Sequence, residues 1–372
     1  MARAGKILTW LVVLGVGLGC AVYVVFQLPV FGGRFEGARL ERMRQSPQYH
    51  DGRFDNTPRS PGGFALVETI RKYSEGQVRE PTFEVPVMAM PPAALLEPVR
   101  PGLRLWWLGH ASTLVEIDGV RLMTDPVLSE RASPFAFAGP KRLHPSPLAL
   151  EALTHIDAVV ISHDHFDHLD MATIEHLADG GTHFYVGLGV GAHLERWKVP
   201  AAQIHEMDWW EQADIKGVRI HCTPARHYSG RRRMDNSTLW ASWMIRGPGH
   251  SVYYSGDTGY SPHFAEIRRR LGAPELTLMK VGAYGEPKPW IDIHMDPESA
   301  VRAQGDLGGS VLLPLHWATF NLAYHAWDEP IRRTLAAAPA LDVKVITPRL
   351  GERYEAGEDF VNTAWYEAPY PG

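Results

Sequence analysis

Three histidines and two aspartates lie within six consecutive positions, His163-Asp164-His165-Phe166-Asp167-His168. Neutral imidazole and carboxylate oxygen are the ligand set that zinc and similar divalent ions prefer, so this density points to a bound metal rather than a polar surface turn. The spacing permits a division of labour. His163 and His165, two apart in an extended turn, can face one side and grip one ion, while Asp167 and His168 open the segment that follows and can face a second. Neither pair completes a coordination shell. His227, Asp257 and His316 each stand where an apolar run gives way to a loop, and they are the candidates for the remaining positions. Alone, a histidine after a strand is more often a hydrogen-bonded loop residue, and Gly256-Asp257-Thr258-Gly259 a turn. Beside the six-residue cluster they become ligand candidates.

The elements that must bring these groups together are short β-rich runs at 103–107, 112–117, 120–124, 158–161, 183–186, 218–223, 239–245, 251–254, 276–281, 310–315 and 343–346. Amphipathic helical patterns separate several of them, at 172–178, 191–197, 262–271 and 297–303, two of which open on a proline. The early strands come as close pairs and the later ones alternate with helices. That order predicts an α/β fold with two sheets covered by outer helices rather than one doubly wound sheet.

The rest of the chain sets limits. Its 372 residues suffice for one large domain, and a net charge of −5 leaves no basic footprint for nucleic acid. Cys20 and Cys222 are the two cysteines, and Cys20 lies in an apolar N-terminal run, so the body holds no internal disulfide. Residues 7–33 carry no charge and are rich in Leu, Val and Gly. At about 1.5 Å per residue such a run can span a hydrocarbon core of roughly 30 Å, and it lacks a clear small-x-small cleavage site. Residues 1–33 are therefore expected to be an uncleaved membrane anchor, a transmembrane helix with the catalytic domain on the extracytoplasmic, periplasmic side. Residues 34–100, rich in Arg, Pro and Gly, read as an arm lying over the domain at 101–372, with no chemistry of their own.

The cluster and the three strand-end residues together resemble the metallo-β-lactamase superfamily, whose signature is an H-x-H-x-D-H run followed by a His, a strand-end Asp and a final His. Within it the chain resembles the branch of the N-acyl-phosphatidylethanolamine-hydrolysing phospholipase D and its bacterial relatives. The motifs that carry this are Trp107-Leu108-Gly109-His110-Ala111, Thr124-Asp125-Pro126, Gly139-Pro140-Lys141-Arg142, Asp208-Trp209-Trp210-Glu211, Gly282-Ala283-Tyr284 and His316-Trp317-Ala318-Thr319-Phe320. The resemblance implies an αββα sandwich of two mixed sheets with outer helices. It assigns His163, His165 and His227 to one zinc, Asp167, His168 and His316 to another, and Asp257 to the bridge between them. His110 and Asp125 become groups that orient the ligand imidazoles.

Two zinc ions sharing a hydroxide, aimed at a phosphodiester, would make the chain a metal-dependent hydrolase of phospholipase D type. Asp167 and His294 are its candidate catalytic residues. His294 matches a histidine of the phospholipase relatives and is expected to bind a phosphoryl oxygen or protonate the leaving group. Arg231, in the run Arg231-Arg232-Arg233, and Phe166 are further candidates for substrate contact, and the loop 133–138 with Trp209 and Trp210 offers aromatic surface for an acyl chain. Phe166 stands where the animal enzyme carries tyrosine, and the N-terminal span has no counterpart there. A hydrolase of a soluble metabolite is the alternative, and the intact set of seven ligands argues against a non-catalytic envelope protein. A homodimer is compatible with all of this.

Overall fold

Ala158 and Val160 point into the layer between two sheets and Val159 and Ile161 point under the outer helices, so all four residues of that strand are buried. A strand covered on both faces reads as an unbroken apolar run, which is why it is visible in the sequence. The computed structural model describes residues 2–60, 78–285 and 288–367. Among these the strands are β1 (Tyr49–His50), β2 (Arg53–Phe54), β3 (Leu103–Gly109), β4 (Ser112–Ile117), β5 (Val120–Thr124), β6 (Ala158–Ile161), β7 (His183–Gly187), β8 (Ile204–Met207), β9 (Gln212–Ile215), β10 (Val218–Thr223), β11 (Ser242–Arg246), β12 (Ser251–Tyr254), β13 (Leu276–Lys280), β14 (Val311–Leu315), β15 (Lys344–Val345) and β16 (Arg353–Glu355).

Two sheets form, in the orders β16-β3-β4-β5-β6-β7-β8 and β15-β14-β13-β12-β11-β10-β9, and β1 pairs only with β2. Both are mixed. Pairing is antiparallel from β16 to β5 and from β9 to β12, then parallel from β5 to β8 and from β12 to β15. The helices Met171–Asp179 and Gly191–Arg196 close the outer face of the first sheet, while His263–Leu271, Pro297–Leu307 and Glu329–Ala337 pack against the second. This is the expected α/β metallo-β-lactamase arrangement. The run expected over 239–245 joins the sheet only from Ser242, because Leu239 and Ala241 spend their N–H groups on Leu188 and Ser162, at the far ends of β7 and β6. The short strands β8, β9 and β16 and the helix Glu329–Ala337 are additions to the expectation; the strands are too short to show a period, whereas the helix is amphipathic, with Pro330, Ile331 and Thr334 on its buried face.

The membrane-spanning helix expected near the N-terminus is not supported: among the described residues no helix is long and apolar enough to cross a membrane. A helix does run from Ala2 to Val25, but the apolar stretch counted into the span is not one element. It turns after Val25, and Pro29–Phe31 folds back as a short 3-10 turn with Phe31 buried against the body. The carbonyls of Pro29, Val30 and Gly32 accept hydrogen bonds from Trp197, Arg231 and Arg232.

One polar feature of the first sheet escaped the sequence reading. Glu355, Arg104, Glu116 and Arg121 face one another across β16, β3, β4 and β5. Both guanidinium groups reach the Glu116 carboxylate, Arg104 at 2.9 Å and Arg121 at 2.7 Å, and Arg121 also donates to the carbonyls of Leu95 and Glu97 in the arm. Replacing Glu116 by Ala leaves the buried Arg121 without its carboxylate and Arg104 with Glu355 alone. The variant should lose about 3–5 kcal/mol of stability, read as a lower urea midpoint at unchanged slope.

Candidate metal centre

The candidate ligands and the two groups expected to orient them lie past strand ends on one edge of the sandwich: His110 after β3, Asp125 after β5, the run His163 to His168 after β6, His227 after β10, Asp257 after β12 and His316 after β14. The turns that hold them are tight. At Gly256, with φ of +54°, an added Cβ would sit 2.4 Å from Cβ of Ser162, so only glycine lets the β12 turn close beneath the His163 loop. His110, Asp125 and His316 themselves adopt φ of 51°, 31° and 68°. Such left-handed backbone costs about 1–3 kcal/mol per residue and persists where surroundings over-determine it. Here His316 N–H donates to His110 O and Asp125 N–H to Val160 O.

The side chains converge as two cages. His163, His165 and His227 form one, with His163 Nε2 2.8 Å and His227 Nε2 3.3 Å from His165 Nδ1. His110, Asp167, His168 and His316 form the other, with His110 Nε2 2.9 Å from Asp167 Oδ2 and His168 Nε2 3.3 Å from His316 Nε2. Asp257 stands between them, its Oδ1 3.1 Å from His316 Nε2 and its Oδ2 3.5 Å from His168 and 3.8 Å from His227.

The outer nitrogens of three imidazoles show that this convergence suits a cation. Asp125, wholly buried, accepts from Ser162 N–H, Ser162 Oγ–H, Tyr254 OH and His168 Nδ1. Ser162 has given its only proton to Asp125, so it accepts from His163 Nδ1 at 2.8 Å. His227 Nδ1 donates to Ile293 O. In each case the Nδ1 proton is fixed outside, so Nε2 is the nitrogen that faces a cage. The buried His165 Nε2 and Asp257 Oδ1 have no hydrogen-bond partner, as expected of a site completed by something other than protein.

Electrostatics agree. Burial, reinforced by neighbouring imidazoles, keeps His163 neutral well into acid and pushes His227 and His110 down to about 3. Burial works against ionising Asp167 and Asp257, yet His168 and His316 outweigh it and hold both carboxylates well below their usual range. Burial also opposes a charge on His168, but Asp167, Asp257 and Asp125 raise it well above an ordinary imidazole. A protonated His168 therefore occupies the place of a cation, and a metal must displace that proton.

The remaining candidates divide. His294 joins the site: its ring stacks on Trp290 at 5.0 Å, and Nδ1 lies 3.6 Å from Asp257 Oδ2. Phe166 stands at the rim, its ring 6.1 Å from Phe31 and 4.1 Å from the guanidinium of Arg231. Arg231 is not free for a phosphate. It is buried, and Nε and Nη1 are taken by the carbonyls of Val30, Asp164 and Leu169, so it braces the ligand loop from beneath. Trp209 and Trp210 also stand elsewhere, one donating to Trp240 O and the other lying under Arg270, because they pack on the core side of β9 and β10. The loop at 133–138 does reach the rim, through Phe135 against Phe31.

Several contributors were missed. Ser162 and Tyr254 complete the Asp125 network, and their only sequence signal is that each ends or follows a strand pointing at a ligand. Tyr228, directly after His227, lays its ring 4.4 Å from His165 and 4.5 Å from His227.

Asp125→Asn removes the anion that fixes His168, and metal affinity should fall about 10–100-fold by chelator competition, with the fold retained. In the wild-type protein, affinity should rise by about tenfold per pH unit between the lowered imidazole pKa values and the raised His168 pKa, because one proton leaves as the cation enters. Titrations from pH 5 to 8 read this directly, and a flat profile would contradict a protonated His168.

The comparisons with known proteins meet this geometry. The β-lactamase superfamily domain matches residues 120–317. The chain is 45% identical over 317 residues to an uncharacterised protein of Mycobacterium tuberculosis, which covers 84% of this chain and 85% of that one. It is 33% identical over 275 residues to N-acyl-phosphatidylethanolamine-hydrolyzing phospholipase D 1 of Caenorhabditis elegans, covering 69% of this chain and 77% of that protein. A metallo hydrolase of the archaeon Ignicoccus hospitalis superposes with a TM-score of 0.54 at 25% identity, covering 69% of this chain and 99% of that one. With its ligand atoms converging as they do, the chain belongs to the β-lactamase superfamily and is a metallo-hydrolase with N-acyl-phosphatidylethanolamine-hydrolysing phospholipase D among its homologues.

Proposed function

We propose that this chain is a dinuclear zinc phosphodiesterase of phospholipase D type, acting on phosphatidylethanolamine-like lipids that carry an N-acyl group. The observation that carries the reading is the pair of cages sharing Asp257, supported by the likeness to the nematode phospholipase. In this reading His163, His165 and His227 would hold one ion and Asp167, His168 and His316 the other, with Asp257 available to both. The chemistry supplied by such a pair when bound is activation of water near neutral pH and neutralisation of charge on phosphoryl oxygens.

The chain's own groups do the rest. His110 fixes Asp167 Oδ2, and Asp125 with Ser162 fixes the rings of His168 and His163. His294 lies beside Asp257 and is held neutral by burial and by the nearby Lys280 ammonium. A neutral imidazole is a poor acid at pH 7, so of its two expected roles the stronger is an N–H donor to a phosphoryl oxygen, strengthening as charge develops there. Because Arg231 donates from Nε and Nη1 to backbone carbonyls, His294 is the side chain placed to meet a phosphoryl oxygen. Phe31, Phe135 and Phe166 form an apolar wall beside the ligand loop, suited to an acyl chain.

The test is mass spectrometry of products after the full chain is incubated with mixed phospholipids including N-acylated phosphatidylethanolamine, with and without chelator. Residues 29–33 belong to the folded body, so they must be present. Phosphatidic acid and N-acylethanolamine that vanish with chelator are the expected result. His294→Ala should lower kcat by about a hundredfold at unchanged metal content. No lipid turnover by a chain that holds two metals would overturn the reading in favour of a soluble substrate.

A further inference from the structure

We propose that the N-terminal arm is a working part of one metal cage and not of the other: Asn56 and Gly33 position the ligands His163, His165 and His227. The inference rests on the ligand assignment of the proposed function.

His227 lies beyond the last residue of β10, where the strand ladder no longer serves its backbone. The Asn56 side chain takes the place of a neighbouring strand. Its Oδ1 accepts from His227 N–H at 3.1 Å, and its Nδ2 donates to His227 O at 2.7 Å. A backbone N–H and C=O of one residue can both be met only by a group that is acceptor and donor at that spacing, which an amide is and a carboxylate or an aliphatic chain is not. Asn56 is itself held. Phe54, two residues earlier in β2, is wholly buried among Met43, Leu188, Ala225, Leu239 and Trp240, and its N–H donates to Asn236 O. Pro58 O accepts from Arg226, the residue before His227.

A second line from the arm reaches the same cage. Gly33 N–H donates to His193 Nδ1 at 3.1 Å, which leaves the imidazole proton on Nε2, facing Asp164 Oδ2 at 3.2 Å. Asp164 is the residue between His163 and His165, and its Oδ1 accepts from Gly230 N–H. The approach requires glycine, since a Cβ at position 33 would lie 2.0 Å from the carbonyl oxygen of Ala192. Arg231 adds a tie from Val30 O to Asp164 O. Among the described residues, the hydrogen bonds between positions 29–60 and the site reach His227 and the neighbours of His163 and His165. None goes to His110, Asp167, His168 or His316.

This segment reads from the sequence as membrane anchor up to residue 33 and as a cover without chemistry from residue 34 on. Its polar groups instead complete a cage whose two ligand loops come from different sheets, β6 and β10, and are joined by no strand pairing. Asn56 is thus a positioning residue for His227.

The experiment measures bound zinc per chain by elemental analysis, and the cobalt(II) absorption spectrum, for the full-length wild type, Asn56→Leu, Asn56→Asp and Arg39→Ala. Arg39 ties the arm to Glu195 and Glu206, away from His227, so its loss is the control for loosened docking alone. Expected are two equivalents for wild type and Arg39→Ala, the latter with a lowered Tm. Asn56→Leu should hold one, regaining the second only at free zinc raised by about tenfold or more. Asn56→Asp, which keeps the acceptor and loses the donor, should fall between, and it serves if the Leu variant does not fold. Two tightly held equivalents in both Asn56 variants, or equal zinc loss in Arg39→Ala, would overturn the inference. Fewer than two in the wild type would instead overturn the ligand assignment itself.

Discussion

The site depends on one buried carboxylate. Asp125 ends β5, and it accepts from the backbone and side chain of Ser162 after β6, from His168 in the ligand loop, and from Tyr254 at the end of β12 in the other sheet. It therefore ties both sheets to the loop carrying most of the ligands. An ionised carboxylate without water is costly unless its lone pairs are filled, and this one fills them with four donors. Ser162, having given its proton here, must accept from His163, so the same anion sets the proton positions of two imidazoles at once.

That arrangement explains why strain is tolerated around it. His110, Asp125 and His316 sit in backbone conformations that L-residues avoid, yet each is pinned by hydrogen bonds from a neighbouring strand end. The sandwich delivers the turns that bear the candidate ligands to one edge, and the turns must be sharp to bring side chains from two sheets together there. At that edge Asp167 and Asp257 raise the proton affinity of His168 well above that of an ordinary imidazole, so the convergence of carboxylates there favours positive charge.

The arm extends the same logic. Residues that read as anchor and as linker carry Phe31 and Phe54 into the body, and next to them the Gly33 N–H reaches His193 and the Asn56 amide reaches His227. Arg231 belongs here too. It spends its charge on carbonyls from the arm and the ligand loop and stacks on Phe166, holding the two together where a solvent-facing arginine would bind anions.

Much of the fold was legible in the chain itself. Strands β4, β5, β6, β10 and β12 begin and end where the sequence places them, although only β6 is apolar throughout and the others are legible from β-branched and aromatic residues mixed with polar ones. The ligand candidates were legible because imidazole and carboxylate are dense at 163–168 and recur after strands. The sequence by itself thus determined which residues are candidates to hold a metal and which segments carry them. Only the tertiary structure decided that Arg231 and Trp210 are spent inside the fold, that the apolar N-terminal run breaks at Val25, and that Asn56 and His193 serve the site. Those are matters of distance between segments more than 150 positions apart, or of which donors are already taken, and neither leaves a periodic trace in a chain.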